Sequence, residues 1–184
     1  PETHIKVGYD FPEMNTYNAL TRSFVMNEGS FLMQLNQLKQ GLLPSNYGGQ
    51  WKQRDLIAEN RALNYLAEIP FCDLKAHEIV LDSIPEQSVV HFGNSTVIRY
   101  GQLFNPVQGI TYHSNRGTSG IDGSLSTAVG AALADPDHLH VAIIGDVSFF
   151  YDSNFMWLNY SLPNLRVILI NNGGGAIFNF IAGP

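Results

Sequence analysis

Short apolar runs punctuate the second half of the chain at regular intervals: Ser88–Phe92, Ile110–His113, Val141–Ile144 and Val167–Ile170. Each is rich in β-branched or aromatic residues and closes on Gly, Asn, Asp or Ser, the pattern of a buried strand meeting a turn. Segments of helical spacing separate them. Gln50–Ala67 sets Trp51, Ile57, Ala58, Ala62 and Leu66 near one face. Asp73 caps a second helix that runs to Ile84 before Pro85 stops it. Ser124–Ala134 is a helix of small residues, suited to close packing against a sheet, and Asn154–Leu162 carries apolar residues at helical intervals. Strands alternating with helices predict an α/β fold with a mostly parallel sheet flanked by helices on both faces.

The first residues read differently. His4–Val7 suits a short edge strand, and Ser30–Leu38 a helix with Phe31, Leu32, Leu35 and Leu38 on one side. Residues 1–43 are expected to be the tail of a preceding domain, and the turn-rich 44–49, Pro-Ser-Asn-Tyr-Gly-Gly, a linker. Residues 50–184 then form the main domain. The chain opens without methionine and stops just after a glycine run, so it reads as a piece of a longer protein.

Composition narrows the function classes. A net charge of −6 offers no basic footprint for nucleic acid. No apolar run reaches the roughly 20 residues of a membrane-spanning helix. One cysteine, Cys72, permits no internal disulfide and fits a cytoplasmic setting; it reads as a small buried residue.

The chemistry gathers at strand ends. Val141–Ile144 ends in Gly145-Asp146 and Val167–Ile170 ends in Asn171-Asn172, followed by Gly173-Gly174-Gly175-Ala176. A βαβ crossover makes the two strands parallel and sets Asp146 and Asn172 at one carboxyl edge, where open α/β sheets bind ligands. Asp146 supplies an anion, Asn172 an amide oxygen and Gly174 a main-chain carbonyl. Together they form a half-cage for Mg²⁺ carrying phosphate oxygens. Val147 and Ser148 offer an amide and a hydroxyl to the same phosphates. Taken singly, each residue is an ordinary turn former; the ordered combination points to the metal.

Two arginines stand out in a chain with only 10 Lys plus Arg. Arg99 and Arg116 each follow a strand, in loops, and their planar forks suit a substrate carboxylate. Other candidates are weaker. His138 and His140 form a possible metal pair but read better as a strand entrance, and His91 and His113 lie near the ligand edge. Asp122 and Asp152 read as a turn residue and a helix cap rather than an acid–base pair.

Gly-Asp-x followed, after this interval, by Asn-Asn resembles the cofactor signature of the thiamin-diphosphate enzymes. Val147 stands where the commonest version has a small residue. With Ser114-Asn115-Arg116-Gly117-Thr118-Ser119-Gly120-Ile121-Asp122-Gly123 and the Asn-Asn-Gly-Gly-Gly run, the chain looks like the menaquinone-pathway (MenD) branch. The resemblance implies a thiamin-diphosphate-binding fold truncated at its C-terminal end. The metal, Mg²⁺ or Mn²⁺, would be held by Asp146, Asn172 and Gly174. Ile121 would bend the cofactor, Ser119 and Ile121 would bond its aminopyrimidine, and Gly120 would lie beside them. Gly145, Val147, Ser148, Gly175 and Ala176 would complete the cofactor contacts. Ser95, Arg99 and Arg116 would meet the substrates, with Ile177, Phe178 and Ile181 as an apolar wall.

The resemblance also implies the reaction, a decarboxylating carboligation of 2-oxoglutarate with isochorismate. The activating glutamate would come from an N-terminal domain across a subunit interface, in a homodimer or homotetramer, so the segment alone would be inactive. Two other readings stay open: an acetolactate synthase or 2-oxoacid decarboxylase type of thiamin-diphosphate enzyme, and a non-catalytic module that binds a phosphate ligand.

Overall fold

The structure, a computed structural model, describes residues 3–11, 13–38 and 44–180. The chain divides into two compact units, residues 1–59 and 60–184. In the first, β1 (Ile5–Val7) and β2 (Arg22–Phe24) pair in parallel, Ile5 opposite Arg22 and Val7 opposite Phe24. The strand at β2 carries no apolar alternation and escapes a reading of the sequence. Helix α1 (Glu28–Gln37) begins where the Asn27 side chain accepts a bond from the Ser30 amide at 3.1 Å, and the Phe31 ring lies 5.0 Å from that of Phe24. Leu32, Leu35 and Leu38 of its apolar stripe are exposed.

Helix α2 (Tyr47–Glu68) crosses the division between the units. Tyr47-Gly48-Gly49, expected in a connector, form its first turn. The Asn46 carbonyl accepts from the Gln50 amide, and so the helical ladder absorbs both glycines.

The second unit is a parallel sheet in the order β4-β3-β5-β6, built from β3 (Val89–Phe92), β4 (Thr111–Ser114), β5 (His140–Gly145) and β6 (Leu165–Ile170). Helix α3 (Asp73–Asp82) precedes β3, α4 (Thr96–Gly101) follows it, α5 (Ser124–Ala134) precedes β5 and α6 (Asp146–Tyr151) follows it. Strand β5 is buried on both faces, as its unbroken apolar run requires. Val141 and Ile143 pack with Val90, Phe92, Val97, Ile98 and Leu81 on one side; Ala142 and Ile144 pack with Leu125 and Ala128 of α5 on the other. The expected α/β architecture is the one observed.

Two elements differ from expectation. The crossover helix begins at Asp146, and Ser153–Trp157 is only a 3-10 turn. Residues 146–151 lie directly against β5 and bury Ser148, whereas in the later segment Phe155 alone packs on the α5 side of the sheet and Trp157, Leu158 and Tyr160 are exposed, so its apolar spacing does not build a full helical face. Arg99 lies in the last turn of α4 rather than in a loop. Cys72 is exposed, not buried, because it stands outside the core as the cap residue of α3.

Candidate functional site

The sheet order makes one carboxyl edge special. From β3 the chain passes to β4 on one side, and β5 then returns on the other, so the connections diverge between β3 and β5. That divergence opens a crevice at the strand ends. Phe92 lies opposite Ile143, and Gly145 opposite Ile170, so the loops after β3, β5 and β6 meet there. At Gly93 the two strands approach closely: a Cβ would sit 3.3 Å from the Ile143 carbonyl oxygen and from Ile144 Cδ1.

Asp146 is the first residue beyond β5 and only 7% exposed. Its Oδ1 accepts from the Val147 amide at 2.7 Å and its Oδ2 from the Gly174 amide at 2.8 Å. One carboxylate thus ties the end of β5 to the glycine run after β6. Gly173, Gly174 and Gly175 have φ of +86°, +115° and +67°, a succession that side chains with a Cβ resist. Asn171 accepts from the Gly173 amide at 3.1 Å. Asn172 accepts from the Ala176 amide at 3.4 Å and donates through Nδ2 to Asp73 Oδ2 at 2.8 Å.

The facing wall comes from the β3 and β4 loops. Asn94, 1% exposed, donates to the carbonyls of Asn115 at 2.7 Å and Gly120 at 2.6 Å, and accepts from Arg116 Nη1 at 2.6 Å. This single amide knits residues 115–120 to the β3 end. Ser95 and Ser119 carry φ of +71° and +59°, costly for residues with a Cβ, and both stand beside that amide's bonds. The Ser148 hydroxyl donates to the Ile121 carbonyl, drawing the Ser119-Gly120-Ile121 turn toward α6.

Between these walls lies a cleft of about 90 Å³. Asn94, Ser95, Thr96, Ile121, Gly145, Asp146, Val147 and Ser148 line it, with Asn172, Gly175, Ala176, Ile177 and Phe178. Asp146 is the only charged residue among them. A lone carboxylate in an otherwise neutral cleft repels a phosphate, and a divalent cation reverses that sign. Among the described residues no group of three or more His, Cys, Asp or Glu side chains could hold a metal ion. A cation here would instead rest on one carboxylate, neutral oxygens and the ligand's own phosphates, which is the habit of Mg²⁺.

Most of the expected site residues do converge here. Ser95, Ile121, Gly145, Asp146, Val147, Ser148, Asn172, Gly175, Ala176, Ile177 and Phe178 line the cleft, and Gly174 joins it through Asp146. Gly120 touches it through Asn94. Ser119 and Arg99 are exposed outside the lining, Arg116 is engaged with Asn94, and Ile181 lies outside the described residues. The Ser148 hydroxyl is directed to Ile121 rather than into the cleft.

The histidines are elsewhere. His91, His113 and His140 share the α5 side of the sheet, beside a cavity of about 740 Å³, and His138 bonds the Asp135 carboxylate at 2.9 Å. His140 does open β5, as its reading as a strand entrance implied. Asp152 caps not its own helix but α5, accepting from the Ser126 amide at 2.6 Å.

Two site residues are not legible as such in the sequence. Asn94 carries a faint signal, a polar residue directly after a buried strand. Asp73 reads there only as a helix cap; it is instead the first residue of α3, with Cys72 at the cap, and its partner Asn172 is 99 positions away.

Comparison with known proteins agrees with this geometry. The model for "Thiamine pyrophosphate enzyme, C-terminal TPP binding domain" matches residues 92–179, from the end of β3 to the glycine run. Three bacterial proteins named 2-succinyl-5-enolpyruvyl-6-hydroxy-3-cyclohexene-1-carboxylate synthase are similar to the chain. That of Christiangramia forsetii is 51% identical over 125 residues, covering 68% of this chain and 22% of that protein. That of Flavobacterium psychrophilum is 43% identical across the whole chain, which covers 33% of it. That of Bacteroides thetaiotaomicron is 39% identical, again across the whole chain and 32% of its own length. The chain therefore spans a third or less of these relatives. With the matched region coinciding with the cleft and its walls, the chain belongs to the thiamine pyrophosphate enzymes and carries their C-terminal TPP-binding domain.

Proposed function

We propose that the protein containing this chain is a thiamin-diphosphate-dependent transferase of menaquinone biosynthesis. It joins 2-oxoglutarate, with loss of carbon dioxide, to isochorismate, giving 2-succinyl-5-enolpyruvyl-6-hydroxy-3-cyclohexene-1-carboxylate. Residues 50–184 serve as its pyrophosphate-binding domain and residues 1–43 as the tail of a preceding one. The observation that carries the reading is the β3/β5 crevice with its single carboxylate, in a chain similar throughout to synthases of that name.

When bound, thiamin diphosphate supplies the electron sink that decarboxylation of a 2-oxoacid requires. In this reading Asp146, the Asn172 oxygen and the Gly174 carbonyl would hold Mg²⁺ or Mn²⁺ and, with it, the cofactor's pyrophosphate. The glycine turn, without side chains, would let the phosphates approach the backbone closely. Ile121 would pack against the cofactor, and the backbones of Ser119 and Ile121 would meet its aminopyrimidine. Ser95, Arg99 and Arg116 orient the dicarboxylate substrates. Arg116 spends one of its five N–H donors on Asn94 and keeps the others for a carboxylate. Ile177, Phe178 and Ile181 would offer the substrates an apolar wall.

The carboxylate that activates the cofactor's pyrimidine would be a glutamate from another domain, reached across a subunit interface of a cytoplasmic homo-oligomer. The 184-residue segment alone would then be inactive.

The test is titration of full-length protein with thiamin diphosphate, with and without Mg²⁺, read by quenching of tryptophan fluorescence. Metal-dependent binding, lost in Asp146→Ala, supports the reading. Binding that ignores both the metal and the substitution overturns the site. Turnover of pyruvate but not 2-oxoglutarate would instead assign an acetolactate synthase or decarboxylase type.

A further inference from the structure

We propose that Asp73 is a positioning residue of the cation site, holding the Asn172 amide so that its oxygen faces the metal. The inference rests on the metal assignment proposed above for Asp146 and Asn172. The carboxylate of Asp73 meets Asn172 Nδ2 at 2.8 Å. A carboxylate only accepts, so the amide must present its nitrogen there and its oxygen on the opposite side. The backbone N–H of Ala176, which only donates, faces that oxygen at 3.4 Å. Two partners of opposite character therefore fix one orientation of an amide that is otherwise free to flip. The oxygen's bond is the longer of the two, so a cation can take the oxygen at small cost. The nitrogen stays on Asp73.

Asp73 is well placed for this task. It is the first residue of α3, half-buried at the edge of the same unit, and its carbonyl accepts from His77 Nδ1 at 2.6 Å. His77 is fully buried, so the Asp73 backbone is tied to the core. A negative group on the amide nitrogen also draws electron density toward the oxygen and strengthens it as a ligand. The competing account makes Asp73 only a first-turn acid favoured by the helix dipole of α3. That account touches stability and leaves metal affinity alone.

The experiment measures Mn²⁺ affinity in full-length protein saturated with thiamin diphosphate, from the electron paramagnetic resonance of free Mn²⁺, with thermal melting of the apo protein as a fold check. Asp73→Ala should weaken the metal about 10- to 100-fold, the range found for residues that orient metal ligands. Asp73→Asn, which keeps the shape of the side chain, should lie between it and the wild type, and Asp73→Glu should recover part of the loss. In an Asn172→Ala background Asp73→Ala should add nothing. Wild-type affinity in Asp73→Ala beside a loss in Asn172→Ala would overturn the positioning role and leave the metal assignment standing. A full, additive loss in the double variant would also overturn it. Unchanged affinity in both Asn172→Ala and Asp146→Ala would overturn the metal assignment itself, and this inference with it.

Discussion

Acidification should destabilise the protein through His91, and substitution of that residue should remove the effect. His91 is 5% exposed, and its Nε2 lies 3.0 Å from Nδ1 of His140. His113 of the neighbouring strand stacks on it at 5.6 Å, and His140 reaches the Asp135 carbonyl at 3.2 Å. Ala131 and Ala134 of α5 bring no charge to the cavity these rings share; Asp135 and His138 stand at its rim. Burial, and then the two neighbouring imidazoles, lower the pKa of His91 from 6.5 to about 4. Such a histidine folds neutral, whereas the unfolded chain binds a proton as pH falls below 6.5. Stability is therefore intact above that value and declines as pH approaches the folded value. Linkage over those two values gives a loss of about 2 kcal/mol between about pH 7 and about pH 5. Urea denaturation of full-length protein and of His91→Gln across that range measures it. Glutamine keeps a hydrogen-bonding group toward His140 and cannot titrate. The difference in stability between the two proteins should grow by about 2 kcal/mol at the alkaline end. Parallel curves would refute the reasoning and place the proton on another group.

Three further outcomes test the packing around the site. Asp152→Ala removes a buried carboxylate that accepts from both the amide and the hydroxyl of Ser126, and should cost about 2 kcal/mol in denaturant unfolding. Gly101→Ala places a Cβ 2.7 Å from the buried Phe92 ring; overpacking of about 1–3 kcal/mol should outweigh the gain in helix propensity and lower the melting temperature. Leu125→Ala empties a fully buried position between α5 and β5 and should destabilise by about 2–5 kcal/mol, with the larger value if the small residues around it cannot collapse.

Legibility in the sequence followed the range of the interactions. The buried strands, and the placement of Asp146 and Asn172 on one edge, could be read because strand, turn and parallel return are local events with strong patterns. The pairing of Gly145 with Ile170 is what that pattern demands. The crossover helix was misplaced because apolar spacing in 154–162 suggests a face, while only contact with β5 decides that residues 146–151 bury one. Asn94 and Asp73 act through partners 22 and 99 positions away, and no spacing rule connects them. Arg116 was legible as a candidate by type, yet its bond to Asn94 depends on how the β3 and β4 loops fold together.

The two amides that Asp146 accepts, from Val147 and Gly174, have a consequence for how variants there should be interpreted. The side chain is a structural strut as well as a charge, joined by hydrogen bonds to the backbone just after β5 and to that after β6. Replacing it with alanine frees the glycine turn and deletes the anion in one stroke, so a lost affinity reports two events together. Asparagine divides them. It retains an oxygen for the Gly174 amide, turns an N–H₂ toward Val147 and carries no charge. Matching losses in the alanine and asparagine proteins would mean that charge governs the cleft. A milder loss in asparagine would show how much of the cleft's shape depends on a single tether.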